Sequence, residues 1–130
     1  SFDTVIDTFG LCSVDDPVKV LTEMNRVCKP DGTILLLEHG RTYTWNWLTM
    51  ALDRTASEHN EKWGCWWNRD IPKLVKESGL IVLEEKQHHL GTTHWIVARP
   101  NKLLDNASGT VSSKPYSWSS WFIPSFLKSN

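Results

Sequence analysis

The first hundred residues alternate between strand-like and helix-like spacing of apolar positions. Residues 2–11 (FDTVIDTFGL) are rich in β-branched and aromatic side chains and short enough for a strand. Val5 and Ile6 are both apolar, which predicts a parallel strand covered on both faces. Asp15-Asp16-Pro17 reads as a helix start. Aspartate accepts from the first free N–H groups, and proline in the first turn needs no donor. Val20, Leu21, Met24, Val27 and Cys28 then recur at helical spacing, with Glu23, Asn25, Arg26 and Lys29 filling the other face. Pro30 cannot continue the helix, and Pro30-Asp31-Gly32 predicts a turn. Residues 33–38 (TILLLE) predict a second buried strand.

Strand, helix and strand with short connections predict a right-handed βαβ unit in a parallel sheet. Ligands bind beyond the carboxyl ends of such strands, so residues 8–13 and 38–41 become candidate positions. Residues 41–68 interrupt the alternation. Trp47, Leu48, Ala51 and Leu52 predict an amphipathic helix, a polar stretch covers 57–62, and Trp63-Gly64-Cys65-Trp66-Trp67 follows. An insertion at this end of a sheet is placed to act as a lid. Asn68 or Asp70 is positioned to cap a helix with Pro72 in its first turn, Ile71, Leu74 and Val75 on its apolar face and Gly79 at its end. Residues 80–84 and 94–98 predict two strands joined by a turn at Gly91-Thr92-Thr93, and a tight connection makes them antiparallel. Residues 1–100 thus read as one α/β unit, 101–115 as a polar linker, and 116–130 as a tail carrying Trp118, Trp121, Phe122, Phe126 and Leu127.

Composition narrows the function classes. The 130 residues are 40% apolar and carry 14 basic and 15 acidic side chains, for a net charge of -1. That balance excludes a polybasic nucleic-acid binder. No apolar run approaches the roughly 20 residues that span a bilayer. Cys12, Cys28 and Cys65 are too few and too scattered for a disulfide scaffold, so they read as free thiols. His59, Cys65, His88, His89 and His94 match no familiar zinc spacing, so no metal site is expected. Asn106-Ala107-Ser108 fits a glycosylation triplet, a pattern common by chance. Five of the eight Trp, at 45, 47, 63, 66 and 67, fall within the insertion.

Three stretches together resemble one family: FDTVIDTFGLCSVDDP, the run from Leu21 through Val27 into Cys28-Lys29-Pro30-Asp31-Gly32, and ILLLEHGR at 34–41. They are similar to the second half of a class I S-adenosylmethionine-dependent methyltransferase of the type 11 group. Within that group they resemble two branches, the fungal mitochondrial inner-membrane methyltransferase-like proteins and the membrane-associated animal thiol methyltransferases. The resemblance implies the carboxyl-terminal half of a Rossmann-like α/β domain, with parallel strands and an antiparallel edge hairpin. It also implies S-adenosylmethionine as cofactor, a small lipophilic acceptor (a phenol, a quinone-like ring or a thiol) and a mitochondrial inner-membrane location. The family's glycine-rich loop and ribose-binding acid belong to the first half of its domain. No G-x-G-x-G occurs here, so the chain is expected to be a fragment of a longer protein.

On this reading Thr8, Phe9 and Gly10 line the cofactor side, where a glycine lets backbone approach a ligand closely. Glu38 and His39 are the catalytic candidates: an imidazole accepts a proton near neutral pH, and Glu38 is expected to orient it or to face the cationic sulfonium. Cys12 is read as an inert buried thiol. Trp66 and Arg69 are the candidates for acceptor binding, within an aromatic lid, Arg69 serving either to bind an acidic group or to cap a helix carbonyl. The expected partner is a small molecule, with membrane association through the aromatic tail or a missing amino-terminal region, or a protein partner for the tail. The alternative is a non-catalytic assembly or scaffold protein on the same fold, and a weaker one is a nucleotide-binding oxidoreductase fragment.

Overall fold

A computed structural model describes residues 1–105; the expectations for the sequon, the aromatic tail and most of the linker fall outside the described residues. β1 (Phe2–Thr8) leads through a loop to α1 (Pro17–Val27), which runs directly into β2 (Cys28–His39). Then come α2 (Asn46–Trp63), α3 (Ile71–Glu77), β3 (Ile81–His88), β4 (Thr93–Arg99) and a helical turn, α4 (Lys102–Asp105). α4 opens the stretch that the sequence reads as linker.

The sheet order is β1-β2-β4-β3. β1 and β2 are parallel, and β4 is antiparallel to both β2 and β3. The expected parallel pair and antiparallel hairpin are both present, with β4 inserted against β2 and β3 left at the edge.

Local chemistry sets the element ends. The Asp16 carboxylate accepts from the Lys19 N–H at 3.0 Å and Asp70 does the same for Lys73 at 3.0 Å, each beside a proline that needs no donor. α2 ends on Gly64 at φ 68, the left-handed angle that glycine adopts without strain. α2 also runs unbroken through the polar stretch 57–62, because Glu58, Glu61 and Lys62 are good helix formers and no Gly or Pro intervenes.

Two connections differ from expectation. Pro30-Asp31-Gly32 is not a free turn but part of an irregular stretch inside β2, where the register jumps from Phe2↔Cys28 to Thr4↔Thr33. Lys29 pairs with Asp3 across it at 2.7 Å, so pairing with β1 decides the geometry that local propensity leaves open. The β3–β4 turn begins earlier than expected, at His89 (φ 51) and Leu90 (φ 61), followed by Gly91 (φ 85).

The core fills the space between one sheet face and α1 and α3. It comprises Leu11, Leu21, Cys28, Ile34, Leu36, Ile71, Val75, Leu80, Ile96 and Ala98. Strand alternation sends Ile34, Leu36 and Glu38 into this layer and Leu35, Leu37 and His39 to the opposite face. On that opposite face Ile6 is exposed and Leu35, Leu37, Trp95 and Val97 are half-buried, so the described residues fully cover one face rather than the expected two. Leu36→Ala is expected to cost about 2–5 kcal/mol of stability, the usual range for a core cavity. A denaturant midpoint unchanged from wild type would show that the core does not depend on this layer.

Candidate active site

The tips of β1 and β2 meet. Phe9 leaves β1 at φ 56, yet its N–H still donates to the Leu37 carbonyl at 2.8 Å. Its ring lies against the His39 ring, with centroids 4.2 Å apart. The chain then turns at Gly10, whose carbonyl accepts from Ser13 N–H at 2.9 Å. A Cβ at Gly10 would run into the Asp7 carboxylate. From β2, the fully buried Glu38 carboxylate accepts from the N–H groups of Gly10 (3.4 Å) and Leu11 (3.1 Å). Burial, and then the neighbouring Asp7 charge, push Glu38 up to about 8, while the two N–H donors pull the other way. Burial also lowers His39 below its usual value, helped by the charges of His59 and His89, so its imidazole is neutral at neutral pH.

Alternation corrects one expectation. Adjacent strand residues point to opposite faces, so Glu38 does not orient His39 but holds the Gly10–Leu11 turn on the other side of the sheet. Thr8 pairs with Leu37 and shares the face of Ile6 and Leu37, away from Glu38. Phe9, Gly10, Glu38 and His39 do converge at the joined tips.

The segment after α2 lies on those tips. Trp66 N–H donates to the Cys12 carbonyl at 2.8 Å. The Arg69 guanidinium donates to the Leu11 carbonyl, and the Arg69 carbonyl accepts from Arg41 N–H at 2.9 Å. Arg69 therefore ties together the loops following β1 and β2, a role its sequence position does not announce. α2 is fastened to the same segment: Asp53 accepts from the guanidinium of Arg41 (2.9 Å) and from Asn68 (2.9 Å), and Trp67 donates to the Leu52 carbonyl (3.2 Å) while stacking on His59 at 3.7 Å. Tyr43 donates to the Asp70 carboxylate; burial, and then that carboxylate, raise its phenol above the ordinary value. Trp45, Trp47, Trp63 and Trp66 stay exposed, so the aromatic residues do not form the closed lid expected of them.

Cys12 and Cys65 are both buried, and burial, then hydrogen bonding to Cys12, push the Cys65 thiol up to about 12. Among the described residues no group of three or more His, Cys, Asp or Glu is placed to hold a metal ion. Sequence reasoning missed Asp7 and His59. Asp7 could have been found from strand parity, since it sits two residues beyond Val5 on the side that faces the core layer.

Comparison with known proteins agrees with this fold. A family model described as a methyltransferase domain matches residues 1–36. That match covers the first part of the chain. Over a longer stretch the chain is 46% identical over 98 residues to "Methyltransferase OMS1, mitochondrial" of Saccharomyces cerevisiae, which covers 75% of this chain and 21% of that protein. It is 31% identical over 104 residues to the human "Thiol S-methyltransferase TMT1A", covering 78% of this chain and 41% of that one. The chain thus spans less than half the length of these relatives. Among solved structures, TnmH superposes with a TM-score of 0.58 at 17% identity, covering 78% of this chain and 31% of that one. The mitomycin 7-O-methyltransferase MmcR gives 0.55 at 17% identity, over 78% and 30%. These structural likenesses establish the fold.

Proposed function

We propose that the chain forms part of a methyltransferase that uses S-adenosylmethionine and a small lipophilic acceptor, either a thiol or a phenol or quinone-like ring. The observation that carries the reading is the junction of two parallel strand tips, with the half-open Phe9 ring resting on the His39 imidazole. The residues present fit the cofactor: an exposed aromatic ring, a glycine turn with no side chain, and a buried acid beneath that turn all stand at one strand end. S-adenosylmethionine, when bound, supplies a methyl group on a cationic sulfonium.

The chain's own residues do the rest. Phe9 offers apolar surface on the donor side, Thr8 ends the strand there, and Gly10 presents its backbone, the space a Cβ would take being filled by Asp7. Glu38 holds the Gly10 and Leu11 amides in place. A neutral His39 takes the proton of a thiol or phenol at a ring nitrogen. Trp66 lends apolar surface for the acceptor, and Arg69 fixes the acceptor-side segment to the donor-side loop. Alignment and exclusion of water supply much of the acceleration in such displacements. The thiol acceptor is supported by the name of the human relative, and a mitochondrial location by that of the yeast one. No helix among the described residues is long and apolar enough to cross a membrane, and proposing the inner membrane rests on the resemblance alone.

The test is calorimetry of the protein at its natural full length with S-adenosylmethionine and its demethylated product, followed by turnover of His39→Ala. Loss of a positioned base is expected to lower kcat by about 10²-fold or more while cofactor affinity holds. No binding of either ligand would overturn the assignment. Unchanged turnover would remove His39 from the chemistry.

A further inference from the structure

Beneath the donor-side turn two carboxyl groups converge from neighbouring strands. Asp7 is the penultimate residue of β1 and stands opposite Leu36 of β2, so its side chain shares a face with Leu36 and Glu38. Its carboxylate occupies the space next to the Gly10 Cα. Glu38 is fully buried and accepts from the N–H groups of Gly10 and Leu11. We infer that Asp7 is a positioning residue for this turn: it and Glu38 hold one proton between them, and that shared proton keeps the Gly10–Leu11 peptide seated. The inference deepens the proposed function and rests on it for the words "donor side".

The argument is electrostatic. Two carboxylates side by side, Glu38 buried and Asp7 half-buried, repel each other, and taking up one proton relieves the repulsion. The other groups around Glu38 do not do this. His94 stands opposite it on β4, fully buried and hydrogen-bonded through Nε2 to the Arg41 carbonyl at 3.0 Å, and burial favours its neutral form. The Cys65 thiol stays protonated, and Cys12 turns its Sγ toward the Phe9 carbonyl at 3.4 Å. The nearby cation, Arg69, directs its guanidinium to the Leu11 carbonyl. Core side chains contributed by α1 and α3 (Leu21, Ile71 and Val75) carry no charge. The direction of the Glu38 shift agrees, with the Asp7 charge ranking after burial among its causes.

The turn matters beyond its own amides. Its next two carbonyls, Leu11 and Cys12, receive the Arg69 guanidinium and the Trp66 N–H. With both acids ionised, the repulsion between them outweighs the stronger acceptance from the two N–H groups, and the donor-side loop and the segment clamped to it loosen together.

The experiment uses the protein at natural full length, first without cofactor. The Glu38 side-chain carboxyl is followed by carbon-13 NMR, and hydrogen exchange of the Gly10 and Leu11 amides is followed over the same pH range. In wild type, Glu38 is expected to titrate near pH 8 and the two amides to lose protection as it does. In Asp7→Asn, whose amide donates to an ionised Glu38, the titration is expected at least one pH unit lower, and protection no longer falls near pH 8. With cofactor, the KM for S-adenosylmethionine is expected to rise above pH 8 in wild type and to stay level in Asp7→Asn, a change in KM rather than kcat. A wild-type Glu38 that titrates in the ordinary carboxylate range overturns the inference, and that measurement needs no variant to fold. An unmoved titration in Asp7→Asn does the same. Failure to bind cofactor with the NMR behaviour intact would sink the proposed function and leave the carboxyl pair standing.

Discussion

Replacing Gly40 with alanine is expected to destabilise the protein by about 1–3 kcal/mol, the usual cost of forcing a methyl group into a filled core. Gly40 is buried directly after β2, and its backbone angles are ones any residue adopts. Space alone demands glycine. An added Cβ would lie 2.7 Å from the Arg69 carbonyl oxygen, 2.7 Å from Ile71 Cγ1 and 3.1 Å from the His94 ring. None of these neighbours is free to yield. The Arg69 carbonyl accepts from Arg41 N–H, Ile71 is fully buried, and His94 is held by the Arg41 carbonyl. Gly40 itself donates to Thr92 at 2.9 Å, which prevents retreat of the strand end. The way left to make room is for the Arg69 segment to lift, which pulls its guanidinium from Leu11. Gly40→Ala should therefore also weaken cofactor binding, although no ligand contact is assigned to Gly40 itself. A denaturation curve that overlays wild type would show that the two strand tips are not locked through this segment.

What the sequence disclosed, and what it withheld, follows from the range of each interaction. Asp16-Pro17, Asp70 with Pro72, and Gly79 are local signals, and they set α1 and α3 as expected. The βαβ order and the antiparallel hairpin followed from apolar runs and connection lengths. Pro30-Asp31-Gly32 misled because its geometry depends on β1, whose Asp3 lies 26 residues from its ion-pair partner Lys29. Arg69 stayed open for the same reason: its guanidinium partner, Leu11, is 58 residues away. A surface ligand and a buried carbonyl look alike to a sequence reader when that reader sees only an arginine beside a Trp cluster. The divergence of Glu38 from His39 was legible, because a period of two leaves neighbours on opposite faces. Tryptophan number did not disclose packing: Trp67 is pinned by His59 and Leu52, while Trp47 and Trp63 are exposed on α2.

Glu38→Gln is expected to reshape the dependence of stability on pH. In the unfolded chain this carboxyl has its ordinary value of 4.5, and in the native protein it stands at about 8. Between those values the native state keeps a proton that the unfolded state has released. Unfolding free energy from this residue is therefore complete below 4.5 and is lost as pH rises through 8, at about 1.4 kcal/mol per pH unit. Glutamine never ionises; its carbonyl oxygen keeps one of the two bonds from the Gly10 and Leu11 N–H groups, which Glu38 accepts on separate oxygens, and the loss of the other is a constant offset at every pH. Other titrating groups act alike in both proteins and cancel in the difference. Measured by denaturation at a series of pH values, the advantage of the variant over wild type should grow steadily from about pH 5 and level off above 8. If that difference is flat, the Glu38 carboxyl is already ionised in the folded protein. The turn is then held by a carboxylate accepting from two backbone N–H groups.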